Sequence, residues 1–190
     1  MPWVVGPNVP SGKCYSRRYM RDVLRTLIEE MVRDLNTNPL ATYPERLREI
    51  AAISPHTILP LPSAEPLEKY NCVMHALGLV GKMGEYPHPL LAATTPFVNY
   101  LIDNALQPCD PKIGALVVWS SAGVIRHIGK LIALCRAESK WGHGILCSHG
   151  LEELPQRYGD VSGYYDATQC DSVLVHLRNF VFGTLNADHT

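Results

Sequence analysis

One stretch divides this chain. Residues 55–66, PHTILPLPSAEP, hold four prolines in twelve positions. Proline fixes its own φ and lacks a backbone N–H, so neither a regular helix nor a central strand can run through this segment. It is expected to be an extended connector that wraps the domain. The sequence has a different texture on each side of it.

Before the connector the pattern is helical. In residues 16–36, Tyr19, Val23, Leu24, Leu27, Ile28, Met31 and Leu35 recur at helical spacing with charges between them. This predicts an amphipathic helix, capped by Ser16 and stopped at NTNP, where Pro39 discourages continuation. Its apolar stripe is expected to pack on the domain that follows, the alternative being a surface for a protein partner. A second short helix is predicted over 43–54. Residues 1–66 thus read as an N-terminal helical extension with its proline-rich connector, and 67–190 as the main domain.

After the connector the period shortens. NCVMHALGLVG, from Asn71, reads as the beginning of a helix, and PFVNYLIDNAL (96–106) as another with Pro96 in its first turn. GALVVWSS (114–121) and VIRHIGKLIAL (124–134) read as strands, and CRAESKW as a third. VLVHLRNFVF (173–182) is expected to be a late strand buried on both faces, and HGLEELPQRYG (149–159) a short capped helix with a tight turn. Helices first and a mainly antiparallel sheet afterwards define an α+β fold.

Composition narrows the function classes. A formal net charge of −1 gives no global basic field for nucleic acid or an anionic membrane. No apolar run reaches the roughly 18 residues needed to span a bilayer. The opening MPWVVGPNVPSGKC lacks the plan of a signal peptide, so a cytosolic protein, or one delivered by a dedicated secretion machine, is expected. The six cysteines (14, 72, 109, 135, 147 and 170) are irregularly spaced and form no CxxC pair, so most are expected to be reduced and several to be core residues.

Cys72 has the most chemical context. Asn71 is a good capping type, which places Cys72 at the first helical position, where unpaired N–H groups favour a thiolate and can donate to an oxyanion. A base must come from elsewhere. His127, at the entry of the strand VIRHIGKLIAL, is the best source, and its imidazole needs an orienting partner. Glu138 or Ser139, on the next strand, can supply it. Asn71, His75, Lys140, Trp141 and His143 are expected around the site as substrate-binding groups. For Trp141, covering the edge of the core is an equal alternative to lining a groove.

These residues carry a resemblance. YNCVMHALG, GALVVWSS, RHIGKLIAL and AESKWG resemble the papain-like cysteine hydrolases of the NlpC and CHAP type. Those place a cysteine at a helix start, a GDLV-like strand after it, then an HVGIV-like strand with the histidine. The similarity spans residues 70–142, and an uncharacterised bacterial group with YNC…AL and ESKxG signatures is closer still. It implies a papain-like core for residues 67–190, with a nucleophile-bearing helix packed on the sheet. It further implies cleavage of a peptide or other amide bond, with cell-wall peptide the leading substrate and an effector toxin one setting. Two departures stand out: Ala115 replaces the acidic residue of GDLV, and the third position reads Glu138-Ser139-Lys140 where histidine is common.

Other readings remain open at this level. Cys72 and His75 with the HGILCSH stretch (143–149) offer soft ligands for zinc, although their spacing matches no standard knuckle. His143 and His149 otherwise decorate a loop beside the cleft. A deamidase or an acyltransferase would use the same residues, whereas a non-enzymatic binding module on this fold would use the 16–36 helix as its partner surface. No cofactor or metal is expected for the hydrolase.

Overall fold

The computed structural model describes residues 17–34, 43–82, 92–142, 144–166 and 173–187. Ser16, Pro39 and His143, given roles above, lie outside the described residues. The described elements are α1 (Arg17–Asp34), α2 (Tyr43–Ile53), β1 (Leu59–Pro60), α3 (Cys72–Ala76), α4 (Thr95–Asn104), β2 (Gln107–Pro108) and β3 (Leu116–Ser121). They continue with β4 (Val124–Ala133), β5 (Arg136–Lys140), β6 (Leu146–Gly150), β7 (Asp160–Asp166) and α5 (Val173–Ala187). The protein is α+β, with a seven-stranded sheet in the order β1-β6-β5-β4-β3-β7-β2, antiparallel at every pairing.

Strand alternation sorts the core into two layers. On one face Ala115, Val117, Trp119, Leu131, Ala137 and Cys147 meet Leu24, Ile28, Met31 and Val32 of α1 and Tyr43, Leu47 and Ile50 of α2. On the other face Leu116, Val118, Ile125 and Ile128 meet Val73 and Met74 of α3, Phe97, Val98 and Leu101 of α4 and Leu177 of α5. The α1 stripe is thus spent on the sheet: Ile28 is fully buried, a burial worth about 1.5–3 kcal/mol. The expected boundary at residues 66 and 67 is not marked by a separate core, because α1 and α2 share theirs with the strands.

The connector is extended as its prolines require. Its Leu59 and Pro60 form the β1 edge against β6, and Pro60 is tolerated because an edge strand needs half its ladder bonds. Glu153 accepts from the Thr57 N–H and hydroxyl at 2.8 and 2.6 Å, and Arg136 donates to the same threonine, pinning the connector to the sheet.

Three expectations are corrected. Residues 173–182 are helical: Val173, Leu177, Phe180 and Val181 face the core at helical spacing, while Val175 and Phe182 are exposed. HGILCSH contains strand β6 rather than a loop. Within 149–159, His149 and Gly150 end that strand and the only helical part is a 3₁₀ turn, Gln156–Tyr158.

Candidate functional site

The local chemistry at Asn71 forms as its sequence predicts. Its side chain accepts the Met74 N–H at 2.9 Å, capping α3, and donates to the Ala93 carbonyl at 2.7 Å. The helix is short, however. Gly78, at φ +68°, closes it with Gly78 N–H to His75 and Leu79 N–H to Met74 bonds, the pattern of a Schellman stop. With five residues α3 has little macrodipole, so what acts on the thiol is the nearby N–H groups.

Those groups are identifiable. Burial pushes the Cys72 thiol up from its ordinary value. The Ile128 N–H, the Lys140 ammonium and the Val73 and Cys72 N–H groups pull it down without overcoming burial. The sulfur therefore rests against β4 beside the amide that follows His127. There the β4–β5 pairing has ended, its last partners being Lys130 and Glu138.

His127 occupies the other side of β4. It pairs in register with Trp119 and shares the face of α1 and α2, whereas Ile128 shares the face of α3. Among the described residues no hydrogen bond joins Cys72 to His127. The two nevertheless share neighbours. The Lys140 charge bears on both, and Tyr158, whose ring stacks on His127 at 4.0 Å with planes 4° apart, feels the charge of a Cys72 thiolate.

A buried relay orients the imidazole. His127 Nε2 lies 2.9 Å from Ser139 Oγ, which is 2.8 Å from His149 Nε2 and 3.1 Å from Trp141 Nε1. His149 Nδ1 is 2.8 Å from the Gly150 carbonyl. The protons follow from the partners. A carbonyl only accepts, so His149 Nδ1 carries a proton. Burial holds His149 down to about 4, so it is neutral and its Nε2 accepts from the Ser139 hydroxyl. The serine oxygen then accepts from Trp141 N–H and from His127 Nε2–H. That leaves Nδ1 as the basic nitrogen of His127. Burial, and then the nearby His149, Arg157 and Lys140, which disfavour a second positive charge beside them, hold His127 well below its ordinary value.

Glu138 serves a different histidine. Its Oε1 is 2.8 Å from His75 Nε2 on the α3 face, so Ser139 is the partner of His127 and Glu138 is not. Burial lowers the His75 pKa, and the glutamate only partly offsets it. Lys140 and Trp141, expected to meet substrate, are both fully buried. Trp141 belongs to the core. Lys140 donates to the Gly142 carbonyl at 2.6 Å and lies over the Tyr70 ring at 5.2 Å, with burial lowering its pKa to about 8.

Tyr158 is absent from the candidate residues read in the sequence, and His149 figures there only as a zinc ligand or a residue beside the cleft, not as a partner of Ser139. His149 sits in a strand concealed by the short run LCSHG, and Tyr158 comes from a turn whose only sequence signal is the bracketing Pro155 and Gly159. The zinc grouping is divided by the sheet. Cys147 packs on the α1 face and His149 joins the relay there, whereas Cys72 and His75 belong to α3. Among the described residues no cluster of three or more candidate ligands is present. Nor is any described helix long and apolar enough to cross a membrane.

Fold and site together define an α+β protein in which a half-buried cysteine abuts a strand beside a serine-oriented histidine. The chain belongs to the family described as "Domain of unknown function (DUF7689)", whose model matches residues 63–166. No curated protein and no solved structure matches it.

Proposed function

We propose that the protein is a cysteine-dependent hydrolase of amide bonds on a papain-like core, with Cys72 as nucleophile and His127 as base. The observation that carries this reading is Cys72 at the Asn71-capped start of α3, where the Ile128 N–H of β4 favours its thiolate, with His127, whose Nε2 proton is fixed by Ser139, on the opposite face of the same strand. Because the thiol is pushed up by burial, it does not ionise unaided at neutral pH. A base must take its proton as it attacks.

The chemistry runs in two halves. Catalysis requires His127 Nδ1, which lies on the opposite face of β4 from Cys72 in this structure, to come within reach of sulfur. It then accepts the thiol proton while sulfur bonds to the carbonyl carbon, and the Cys72 N–H supports the oxyanion. The C–N bond breaks as that proton passes to the leaving amine. Water then attacks the thioester, giving its proton to His127, and the proton returns to sulfur as the acid departs. Ser139 and His149 act by holding the tautomer. The resemblance favours a peptide substrate, cell-wall peptide first, with an injected effector as one setting. Transfer to another amine, or deamidation, would use the same groups.

A second reading has its own support. Burial of the thiol and the lack of a direct Cys72–His127 bond favour a non-enzymatic module in which Cys72 is a core residue. Rates of iodoacetamide modification at each cysteine between pH 5 and 9 separate the two. The hydrolase requires Cys72 to react faster than the exposed Cys135, with that advantage lost in His127→Ala. A Cys72 slower than Cys135 in the wild type sinks it.

A further inference from the structure

The helix α1 lies outside the family match, yet it grips the site from behind. Arg25 is buried, and its guanidinium donates to Asp160 Oδ1 at 2.7 Å, to the Gln156 carbonyl at 3.4 Å and to the Gly159 carbonyl. One turn further along, Glu29 accepts from the Arg157 side chain at 2.7 Å and from its N–H at 3.1 Å. These bonds enclose the turn Gln156–Tyr158 from both ends.

That turn exists to present one ring. Gly159 takes φ +81°, and a Cβ there would lie 1.9 Å from the Ser120 carbonyl oxygen, so the chain presses against β3 as it leaves the turn. Tyr158 is thereby laid flat on His127, opposite the relay that holds the imidazole edge. Its hydroxyl accepts the Gly142 N–H at 3.0 Å, and the Gly142 carbonyl accepts from Lys140. One phenol therefore touches the imidazole directly and the buried ammonium through a single residue, Gly142.

We propose that Tyr158 is a positioning residue for His127, and that Arg25 sets it, so that α1 holds the site in register from outside the family-matched segment. The inference rests on the hydrolase reading only for its catalytic consequence; the geometric coupling stands apart from it. Ring stacking fixes the imidazole plane while Ser139 fixes its rotation, and neither alone does both. The ionisable groups facing His127 are His149 from β6, Lys140 from β5, and Arg157 and Tyr158 from the turn.

The test compares the full-length wild type with Arg25→Met, Arg25→Lys and Tyr158→Leu. It reads the pH titration of the His127 ring protons by NMR and the alkylation rate of Cys72, with thermal melts to confirm folding. In Arg25→Met and Tyr158→Leu the His127 pKa should rise toward its ordinary value by about one unit, as the ring is released toward water. Arg25→Lys, which keeps the charge, should retain part of the wild-type value. Alkylation of Cys72 should fall about tenfold in the first two variants. Should either of those variants fail to fold, Tyr158→Phe, which keeps the stack and loses the Gly142 bond, must leave the His127 titration near wild type. A His127 titration unchanged in folded Arg25→Met, or shifted fully by Tyr158→Phe, overturns the proposal. A shifted titration alongside an inert wild-type Cys72 supports the coupling while removing the hydrolase.

Discussion

His127 and Ser139 face each other across β4 and β5 with Nε2 and Oγ 2.9 Å apart, and the direction of that bond decides which imidazole nitrogen is basic. The serine has one proton to give and gives it to His149, so it can only accept from His127. A side chain with no charge thereby does what a carboxylate does elsewhere, fixing a tautomer without stabilising the imidazolium.

Ser139→Ala tests this directly. It leaves His127 Nε2, Trp141 Nε1 and His149 Nε2 without their shared partner in a fully buried place. The expected loss is about 3 kcal/mol or more in chemical denaturation, since three buried groups are orphaned and each costs about 1–3 kcal/mol. Nitrogen chemical shifts should show His127 as a mixture of tautomers.

The relay also predicts acid sensitivity. His149 has a folded pKa of about 4 against an ordinary 6.5, so between these values the unfolded chain binds the extra proton. Stability from this group is full above 6.5 and is lost as pH falls toward 4, by on the order of 3 kcal/mol. His127 is shifted the same way and adds to the trend. Urea midpoints followed from pH 7 to 4.5 should fall steadily, and His149→Gln should flatten part of the slope.

Lys140 predicts the opposite end of the scale. Its folded pKa of about 8 lies below the ordinary 10.5, so above pH 8 the folded protein sheds a proton that the unfolded chain retains. Burying the ammonium costs on the order of 3 kcal/mol below pH 8, and that cost is relieved as pH rises toward 10.5. Lys140→Met should therefore be more stable than wild type at pH 7, with the gap narrowing by pH 10. It should also raise the pH at which Cys72 alkylates, because it removes a cation that favours the thiolate.

Gly159→Ala should cost more than about 2 kcal/mol, because both the positive φ and the Ser120 carbonyl forbid a Cβ. Gly123→Ala, at φ +76° in the β3–β4 turn with open space around it, should cost only the backbone strain of about 1 kcal/mol. Thermal melts of the pair separate collision from strain.

Much of the fold could be read from local pattern, because α1 buries one stripe at helical period and β3 is a short apolar run, buried on both faces and bracketed by turn residues. The C-terminal helix could not. Val173, Val175, Val181 and the aromatic residues beside them suit a strand, and only the depth of Leu177 against α4 selects the helix. Strand β7, DVSGYYD, has neither alternation nor strong apolar content and is fixed by pairing with β3. At the site, Cys72 and its cap were legible because the cap lies next to the thiol in sequence. The assignment of Glu138 to His75 and of Ser139 to His127 follows from which face each occupies. A one-residue choice of face is set by register, which sequence alone leaves open.

The two-layered core has a consequence for the segment that the family model matches. The matched segment, 63–166, contains β2 to β7 with α3 and α4, but it leaves out α5 and also α1 and α2, which roof the opposite face over Val117, Trp119 and Leu131. Excised alone, it would present that face as a bare apolar floor. The segment the family model matches is therefore smaller than the unit that closes this core.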